Sequence, residues 1–338
     1  MEFKNPDVVE GPAQYTDEWY SLRKYQPGRE PDVLIGASES SVACGISKWK
    51  TPLELFLEKR GYVDTGDGPN MKMRLGTKLE PVILDIAEEL LPETFPELQS
   101  DGSQIARGIP VLWTSGLPSV GASPDGVLPN KDLVDAKASF APAFASQFGD
   151  EGTDQIPDEY IFQAQQQMYV TGAEFVYFPV FFGWGAVKCY RVPRSDALMG
   201  AIIDAETELV ERIRNDDPPE PHWQSGRAIE EVRKLHGECN GEVVEGSPDL
   251  VRLWTEKKQL DEQIAALEAK RKEITARVMD ASEGAAAIKL PSLGCVLKRI
   301  EIANSKWEKK DLDAIKSKLG KLKRRGYWYL REVKESDK

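Results

Sequence analysis

The spacing of apolar residues predicts several helices along the chain. Residues 70–90 are predicted to be helical because apolar side chains recur there about every three or four positions. Thr51 and Pro52 are typical of a helix start, and Gly61 is typical of its end. Further helices are predicted over residues 14–24 and 158–171. The apolar positions of the 70–90 helix are Leu75, Leu79, Val82, Ile83 and Ile86.

Short apolar runs separated by turn residues predict strands in the middle of the chain. Residues 109–113, 120–128 and 132–137 have this pattern. Residues 175–182 and 186–192 flank Gly183 and predict a β-hairpin. Because helices precede and follow these strands, the pattern predicts an α/β fold with a mixed central sheet flanked by helices.

A second domain is predicted after a proline-rich stretch near residues 216–221. Ser247 and Pro248 begin a long helix, predicted over residues 248–283, whose apolar residues form a seam like that of a coiled coil. Such a seam packs on its own domain or on a partner. A small basic α+β segment is predicted to follow, so we divide the chain into residues 1–235 and 236–338. The seam residues are Leu253, Leu260, Ile264, Leu267, Ile274 and Val278.

Composition and charge narrow the classes of function. No apolar run is long enough to span a bilayer, and the first ten residues do not resemble a leader, so a cytoplasmic protein without a membrane partner is expected. The net charge of −12 conceals a basic C-terminal region, because residues 289–338 hold 15 basic and 7 acidic residues. Four separated cysteines and two histidines do not suggest a zinc or iron–sulfur site. A metal ion would therefore be held by carboxylates, which favours magnesium or manganese.

Two aspartates and a lysine form the strongest chemical pattern in the sequence. Asp125 and Asp135 fall on consecutive predicted strands, and alternation places Lys137 on the same face as Asp135. Asp125, Asp135 and the main-chain carbonyl of Ala136 would suit a hard divalent cation, with Glu80 completing its shell. Lys137 would then orient or deprotonate the attacking water. A structural interpretation stays open, because Pro-Asp-Gly is a common turn and Asp-x-Lys is common on edge strands.

The order of several motifs resembles that of a known nuclease family. The motifs are Trp19-Tyr-Ser-Leu-Arg23, Ile35-Gly-Ala-Ser38, Gly76-Thr-Lys-Leu-Glu80-Pro, Ala122-Ser-Pro-Asp125-Gly, Asp135-Ala-Lys137 and the stretch from Tyr160 to Gly172 that contains Gln163, Gln165 and Tyr169. Together they resemble the YqaJ-like and lambda-type viral recombination exonucleases of the PD-(D/E)xK superfamily. Gln165 and Tyr169 match the QxxxY element that accompanies this nuclease motif.

The resemblance implies a restriction-endonuclease-like fold and magnesium-dependent, 5′-to-3′ digestion of one strand from the end of duplex DNA. One or two Mg²⁺ ions are implied, and Mn²⁺ is expected to substitute. Arg23, Ser38 and Tyr169 would bind DNA or its 5′ phosphate, Glu80, Asp125 and Asp135 the metal, and Gln163 or Gln165 would support the site. A homo-oligomeric ring, by resemblance a trimer, and a single-strand annealing protein are the implied partners. A phage-encoded member would act in the bacterial host cytoplasm.

Two departures from the family pattern and several alternatives remain. The second acid is Asp135 rather than the commoner glutamate, and the stretch from Arg23 to Ser38 is longer than in the family. Arg23 could instead pair with an acid of its own helix, and Ser38 is also a natural N-cap for the following helix. Gln163, Gln165 and Tyr169 could be the polar flank of an amphipathic helix. Near the C-terminus, basic residues beside aromatic ones suit DNA contact or a solvated helix end; they are Lys321, Lys323, Arg324 and Arg325.

Three functions therefore compete. The first is an exonuclease that resects duplex ends to give 3′ single strands for strand annealing. The second is a PD-(D/E)xK endonuclease or a CRISPR-associated type of nuclease. The absence of a cysteine cluster and the Trp19-to-Arg23 motif argue against the CRISPR-associated type. The third, from a different class, is an inactive module that binds DNA ends, against which Asp125, Asp135 and Lys137 argue.

Overall fold

A computed structural model gives the fold of the chain. It describes residues 3–63, 71–101, 103–114, 120–183, 185–237, 241–283, 285, 287–290, 292 and 295–298. The chain divides into two compact units, Met1–Glu238 and Cys239–Lys338. In the part of the chain described, no helix has both the length and the apolar content needed to cross a membrane.

The first unit contains ten strands and nine helices among its described residues. The strands are β1 (Val8–Glu10), β2 (Ile35–Gly36), β3 (Ala106–Arg107), β4 (Leu112–Thr114), β5 (Val120–Ala122), β6 (Gly126–Val127), β7 (Leu133–Val134), β8 (Lys137–Ser139), β9 (Phe175–Phe182) and β10 (Ala186–Pro193). The helices are α1 (Asp17–Leu22), α2 (Ser40–Ala43), α3 (Pro52–Lys59), α4 (Met71–Thr94), α5 (Leu98–Asp101), α6 (Pro142–Ala145), α7 (Asp158–Thr171), α8 (Asp196–Asn215) and α9 (Ala228–His236). A 3₁₀ turn spans Ala37–Glu39.

The strands form two sheets. The larger sheet has the order β10-β9-β7-β6-β3, with β8 also paired to β9, and it is mixed because β7 and β8 run parallel to β9. The smaller sheet has the order β1-β4-β5-β2, in which β2 and β5 are parallel. The predicted α/β class with a mixed sheet is therefore confirmed.

Helices cover both faces of the larger sheet, because its strands alternate between two apolar clusters. Leu133 belongs to the cluster that contains residues of α7, whereas the next residue, Val134, belongs to the cluster that contains residues of α4. On β9, Tyr177 lies on the α4 side and its neighbour Phe178 on the α7 side. This alternation directs the side chain of Asp135 toward α7.

The helix α7 matches its predicted bounds. Asp158 and Glu159 in its first turn suit the positive end of the helix dipole. Gly172 ends the helix at φ +75°, and an added Cβ would lie 2.7 Å from the backbone nitrogen of Asn5. Only glycine combines that backbone angle with so close an approach. The helix packs against β5, α2 and α8, so it connects the two sheets.

The predicted apolar face of the 70–90 helix is partly wrong. The helix runs from Met71 to Thr94 and continues through Pro81 and Pro92. Of the predicted face, Ile83 is buried, but Leu75, Val82 and Ile86 are exposed. The buried positions shift toward the C-terminal half, where Leu84, Ala87 and Leu91 pack on the sheet. Spacing alone therefore predicted an apolar face but not that only the C-terminal half of the helix reaches the core.

The second unit contains the long predicted helix. The helix α10 (Pro248–Ala281) begins at Ser247, whose hydroxyl accepts from the backbone N–H of Leu250. The strands β11 (Ala287–Leu290) and β12 (Cys295–Lys298) pair in antiparallel fashion. The predicted helical extension is thus present, whereas the functional division at residues 235 and 236 stays a prediction. The rest of the predicted basic α+β segment, with Lys321, Lys323, Arg324 and Arg325, lies outside the described residues.

Candidate active site

The two predicted aspartates lie opposite each other at the end of one ladder. The strands β6 and β7 are antiparallel, with Gly126 opposite Val134 and Val127 opposite Leu133. Asp125 directly precedes β6 and Asp135 directly follows β7, so the same register places them side by side. The backbone N–H of Ala136 donates to Asp125 Oδ2 at 2.8 Å and holds that carboxylate against the β7 side.

The carboxylate of Asp135 is almost fully buried and accepts hydrogen bonds from three side chains. Gln163 Nε2 and Gln167 Nε2 both donate to Asp135 Oδ2, at 2.7 and 2.6 Å. Lys137 Nζ donates to Asp135 Oδ1. The predicted placement of Asp135 and Lys137 on one face is what permits this contact. The strands on either side of Asp135, β7 and β8, pair with β9 in the same parallel register.

Lys137 is held as a cation between the acids and two aromatic rings. Its Nζ lies 5.0 Å from the ring centroid of Tyr160 and 5.8 Å from that of Phe178. Burial alone would lower the pKa of Lys137, but the carboxylates of Asp135 and Asp125 outweigh burial and raise the pKa above its usual value. A protonated lysine can orient water or a phosphate oxygen, which favours the orienting role over the deprotonating one.

Asp125 and Glu80 are carboxyl groups with raised pKa values. Burial and the charge of Asp135 raise the pKa of Asp125 well above its usual range, and Glu80 adds to the effect. The pKa of Glu80, which α4 carries, is likewise raised by burial and by Asp135. Like charges gathered in a partly buried pocket repel one another, so this end of the sheet is electrostatically suited to a cation.

The residues fit a carboxylate-bound divalent ion in chemistry, although the acids are not arranged as a ready-made metal centre. Among the described residues, no group of three or more aspartate, glutamate, histidine or cysteine side chains is gathered closely enough to hold a metal as the side chains stand. Both oxygens of Asp135 already have partners, because Lys137 contacts one and two glutamine amides contact the other. The position of the Ala136 carbonyl as a ligand likewise stays a prediction.

Of the two glutamines predicted to support the site, only Gln163 reaches it. Gln165 Nε2 donates to Pro193 O at 2.8 Å, and its Oε1 accepts from the backbone N–H of Ser195. Its contacts therefore place it at the end of β10 and not at the acids. Tyr169, four residues later on α7, is half-buried against the core. The second glutamine at Asp135 is Gln167, which the sequence interpretation missed.

Helical spacing explains this correction. Gln163 and Gln167 are four residues apart and share one face of α7, whereas Gln165 faces nearly the opposite direction. Three consecutive glutamines, Gln165 to Gln167, conceal this distinction in the sequence. The i, i+4 relation of Gln163 and Gln167 could have identified the pair once α7 was taken as a helix facing Asp135.

Of the residues predicted to bind the 5′ phosphate, Arg23 belongs to a partly buried ion-pair cluster. Arg23 Nη2 lies 2.9 Å from Glu39 Oε1, and its guanidinium lies 4.8 Å from the ring centroid of Trp19. Arg23 therefore pairs with Glu39 rather than with an acid of its own helix. Ser38 is exposed in the 3₁₀ turn and, contrary to prediction, does not cap α2, whose N-cap position is Glu39.

Glu39 connects this cluster to α3 and to the turn. Its Oε2 accepts from Lys59 Nζ at 2.7 Å and from the backbone N–H of Gly36 at 2.9 Å. Burial alone would raise the pKa of Glu39, but the charges of Arg23 and Lys59 and these hydrogen bonds lower it to about 2. Burial also lowers the pKa of Lys59 to about 8. The sequence interpretation missed Glu39 and Lys59 because their pairing joins segments 20 residues apart.

Tyr15 is a further residue near the acids that the sequence did not reveal. Its ring centroid lies 5.5 Å from that of Trp19, and its backbone has φ +65°. Burial and the charges of Glu80 and Asp125 raise the pKa of Tyr15, and its side chain hydrogen-bonds with that of Thr77 on α4. Tyr15 and Trp19 thus place aromatic rings between the acids and Arg23.

Comparisons with known proteins agree with the motif order. Residues 18–174 match the family model described as the YqaJ-like viral recombinase domain. The chain is 27% identical over 284 residues to the "Uncharacterized protein YqaJ" of Bacillus subtilis (strain 168), and the alignment covers 81% of each protein.

Two solved structures show weaker similarity. An alkaline exonuclease, LHK-Exo, from Laribacter hongkongensis is 21% identical with a TM-score of 0.44, covering 60% of this chain and 94% of that one. A phage-related exonuclease from Haemophilus somnus 129PT is 13% identical with a TM-score of 0.39, covering 54% and 96%. These scores are too low to support an argument about this chain. The match of residues 18–174 does not depend on them: over this stretch, which contains the acids, Lys137 and the glutamine helix, the chain is similar to the YqaJ-like viral recombinase domain.

Proposed function

We propose that this protein is a metal-dependent deoxyribonuclease that digests one strand of linear duplex DNA from its 5′ end. The observation that carries the proposal is the contact of Asp125, Asp135 and Lys137 at one end of the sheet, with two glutamines fixing Asp135. The match of residues 18–174 to the YqaJ-like viral recombinase domain supports it. A 3′ single strand would be the product.

Each side chain has a role that follows from its contacts. Asp125, Asp135 and Glu80, with the Ala136 carbonyl, would hold one or two Mg²⁺ ions, and Mn²⁺ would substitute. When bound, the metal supplies Lewis-acid polarisation of the scissile phosphate and a more acidic water. Lys137 would orient the water and balance negative charge at the phosphate, because its own carboxylate neighbours keep it protonated. Gln163 and Gln167 would keep Asp135 in position.

The cluster around Arg23 suits recognition of a terminal phosphate. Arg23 is about one-fifth exposed, and Ser38 is exposed beside it. A guanidinium can bind a phosphate through two parallel hydrogen bonds. We propose that these two residues bind the 5′ phosphate and that Tyr169 acts from the core rather than by contact with DNA.

A digestion assay with matched DNA substrates tests the proposal. The purified full chain is incubated with linear duplex DNA and with covalently closed circles, in magnesium or in chelator. We expect magnesium-dependent loss of the linear DNA alone, faster when the 5′ end carries a phosphate. Cutting of closed circles would show an endonuclease instead, and binding of ends without cleavage would show an inactive end-binding module.

The proposed partners follow from the same function. Duplex DNA ends are the proposed substrate, and a single-strand annealing protein is the proposed recipient of the product. By resemblance to the family we propose a ring-shaped homo-oligomer, a trimer, acting in the cytoplasm of a bacterial host. Sedimentation of the full chain, with and without duplex DNA, measures the oligomer directly.

A further inference from the structure

The helix α10 carries an apolar seam that no other described residue of its own unit covers. Within the described part of the chain, none of its 34 residues is buried. Six large apolar side chains along it are between 42% and 66% exposed: Leu253, Leu260, Ile264, Leu267, Ile274 and Val278. An isolated helix gains little stability without a packed face, and a continuous apolar face this long is typical of a surface that another element covers.

The seam has the seven-residue repeat of a two-helix interface. Leu253, Leu260, Leu267 and Ile274 are seven residues apart and take one core position, called d in a coiled coil. The other core position, called a, is filled by residues 250, 257, 264, 271 and 278. Two of these five are basic, Lys257 and Arg271. The interface is therefore apolar except for two cations at defined layers, and they restrict which partner fits.

We propose that a second copy of this chain covers the seam, with the two α10 helices side by side and antiparallel. The inference rests on the seam alone and does not depend on the proposed nuclease function. At 1.5 Å per residue the paired segment would be about 50 Å long, which is a substantial interface for a helix pair.

A parallel pair is disfavoured by charge. In a parallel pair each a residue faces its own copy, so Lys257 would face Lys257 and Arg271 would face Arg271. The flanking positions also bring like charges together, because Glu256 would lie opposite Asp261 of the other copy. Like charges in these positions are repulsive, and none of the flanking positions of a parallel pair brings opposite charges together.

An antiparallel pair places the same residues favourably. Each a residue then faces a d residue, so a two-fold axis between residues 264 and 267 pairs Ile264 with Leu267. The next layers pair Arg271 with Leu260 and Lys257 with Ile274, and the outer layer pairs Leu253 with Val278. The long stems of arginine and lysine can lie along these apolar neighbours while their charged ends reach solvent.

The flanking charges also match this arrangement. Glu256 would lie opposite Arg277 of the other copy, twice by symmetry. Asp261 would lie opposite Glu268, but Arg271 occupies that same layer, between its own Glu268 and the Asp261 of the other copy. Arg271 therefore lies close to both Asp261 and Glu268 and offsets the repulsion between these two acids.

Substitutions in the seam test the pairing on the full chain. We expect sedimentation of the wild type to show an even number of 37.8 kDa chains, which is two for the seam pair alone and six where the pairs join two of the proposed trimers. Ile264→Glu with Leu267→Glu should halve that number and raise the dissociation constant on the order of 100-fold or more, because four carboxylates would meet at the two-fold axis. Ala269→Glu with Ala276→Glu adds the same charge on the opposite face of α10 and should leave the assembly unchanged. Circular dichroism of each variant confirms that the helix is retained.

A charge exchange tests the direction of the pair. Glu256→Arg alone and Arg277→Glu alone should each weaken association, and the double variant should restore it, since the exchanged pair is again of opposite charge. An assembly that both seam glutamates leave unchanged would overturn the pairing and assign the seam to another part of the same chain. Weakened association in both single variants without recovery in the double variant would overturn the antiparallel direction.

Discussion

The carboxylate of Asp135 organises the candidate site at the scale of single residues. It accepts from Lys137 at one oxygen and from Gln163 and Gln167 at the other. Hydrogen bonds to an ionised group are stronger than those between neutral groups, and a buried charge that loses one is costly. The three donors therefore fix one orientation of Asp135, which then faces Asp125.

Lys137→Ala tests the orienting role of the lysine. We expect turnover to fall by roughly two to four orders of magnitude, because a positioned charged group in a transition state contributes on that scale. Magnesium-dependent binding of DNA should remain, since the acids are intact. Single-turnover cleavage and a binding titration measure the two effects, with Lys188→Ala, an exposed lysine of β10, as the control. Turnover equal to that of the wild type would contradict the assignment.

Gln167 and Gln165 on α7 provide a matched pair of substitutions that tests which glutamine supports Asp135. Gln167→Leu should lower turnover about 10- to 100-fold, because Asp135 loses a charge-assisted hydrogen bond. Gln165→Leu removes an equally buried amide whose contacts are Pro193 and Ser195. It should lower the free energy of unfolding by about 1–3 kcal/mol and leave the turnover of the folded enzyme near normal. The reverse pattern would restore Gln165 as the supporting residue.

Acid sensitivity is predicted for the cluster around Glu39. Because the folded pKa of Glu39, about 2, lies below its usual value of 4.5, its ionisation stabilises the fold above pH 4.5, and this stabilisation is lost as the pH falls from 4.5 to 2. Its full size is at most about 3 kcal/mol. Denaturant unfolding of wild type and Glu39→Gln at pH 6 and pH 3 should show a stability difference that shrinks at pH 3. A difference that grows on acidification would contradict the sign.

The sequence allowed the grouping of Asp125, Asp135 and Lys137 to be predicted because its geometry is local. Asp125 and Asp135 meet through one short antiparallel ladder, and Lys137 follows by strand alternation. Glu39 and Lys59 could not be predicted in this way, because their contact depends on how α3 packs beneath the 3₁₀ turn. The identity of the supporting glutamines depended on the rotation of α7, which spacing does not fix among consecutive polar residues.

At the scale of elements, α7 sets the distance between the two parts of the proposed site. One of its faces presents Gln163 and Gln167 to the larger sheet. Another presents Gln166, whose Nε2 donates to Ile35 O at 2.9 Å and to Gly121 O at 3.0 Å, on β2 and β5 of the smaller sheet. The bounds of α7 were predictable from its polar first turn and its terminal glycine. The bounds of the β9–β10 hairpin were predictable from its turn. Which half of α4 is exposed could not be predicted from the sequence, because burial there depends on tertiary packing.

The turn after β2 provides an element-scale test of the phosphate pocket. An added Cβ at Gly36 would lie 2.6 Å from Arg23 Nη1, although the backbone angle there, φ −80°, suits any residue. Gly36→Ala should therefore displace the flexible guanidinium at small cost in stability. We expect the preference for a 5′-phosphorylated end to fall several-fold, with magnesium dependence unchanged. Gly200→Ala, where nothing lies within 4 Å of an added Cβ, is the control, and an unchanged preference would remove Arg23 from the pocket.

At the scale of the whole molecule, charge is distributed unevenly along the chain. Residues 289–338 carry 15 basic and 7 acidic residues within a protein of net charge −12. An acidic protein that acts on DNA needs local positive charge, because phosphate neutralisation supplies most non-specific affinity. The basic residues 321–325 fall outside the described residues, so their contact with DNA stays a prediction.

Salt dependence tests that prediction. Replacing Lys321, Lys323, Arg324 and Arg325 by alanine should weaken DNA binding and reduce the slope of log affinity against log salt by roughly 0.9 for each phosphate that is no longer neutralised. Lys258→Ala with Lys272→Ala, on exposed positions of α10, is the control for removal of charge alone. An unchanged slope in the fourfold variant would show that this segment does not touch DNA.

The side chain of Gln166 joins the two parts of the proposed site. Its amide donates to β2, which leads to the turn with Ser38, and to β5, which leads to Asp125. Because β2 and β5 are also paired, the residues proposed to bind the 5′ phosphate and the acids proposed to cleave the DNA are held at one separation. We therefore expect the distance from a bound 5′ end to the proposed cleavage site to stay the same in each round of digestion, because the packing of β2 beside β5 sets it.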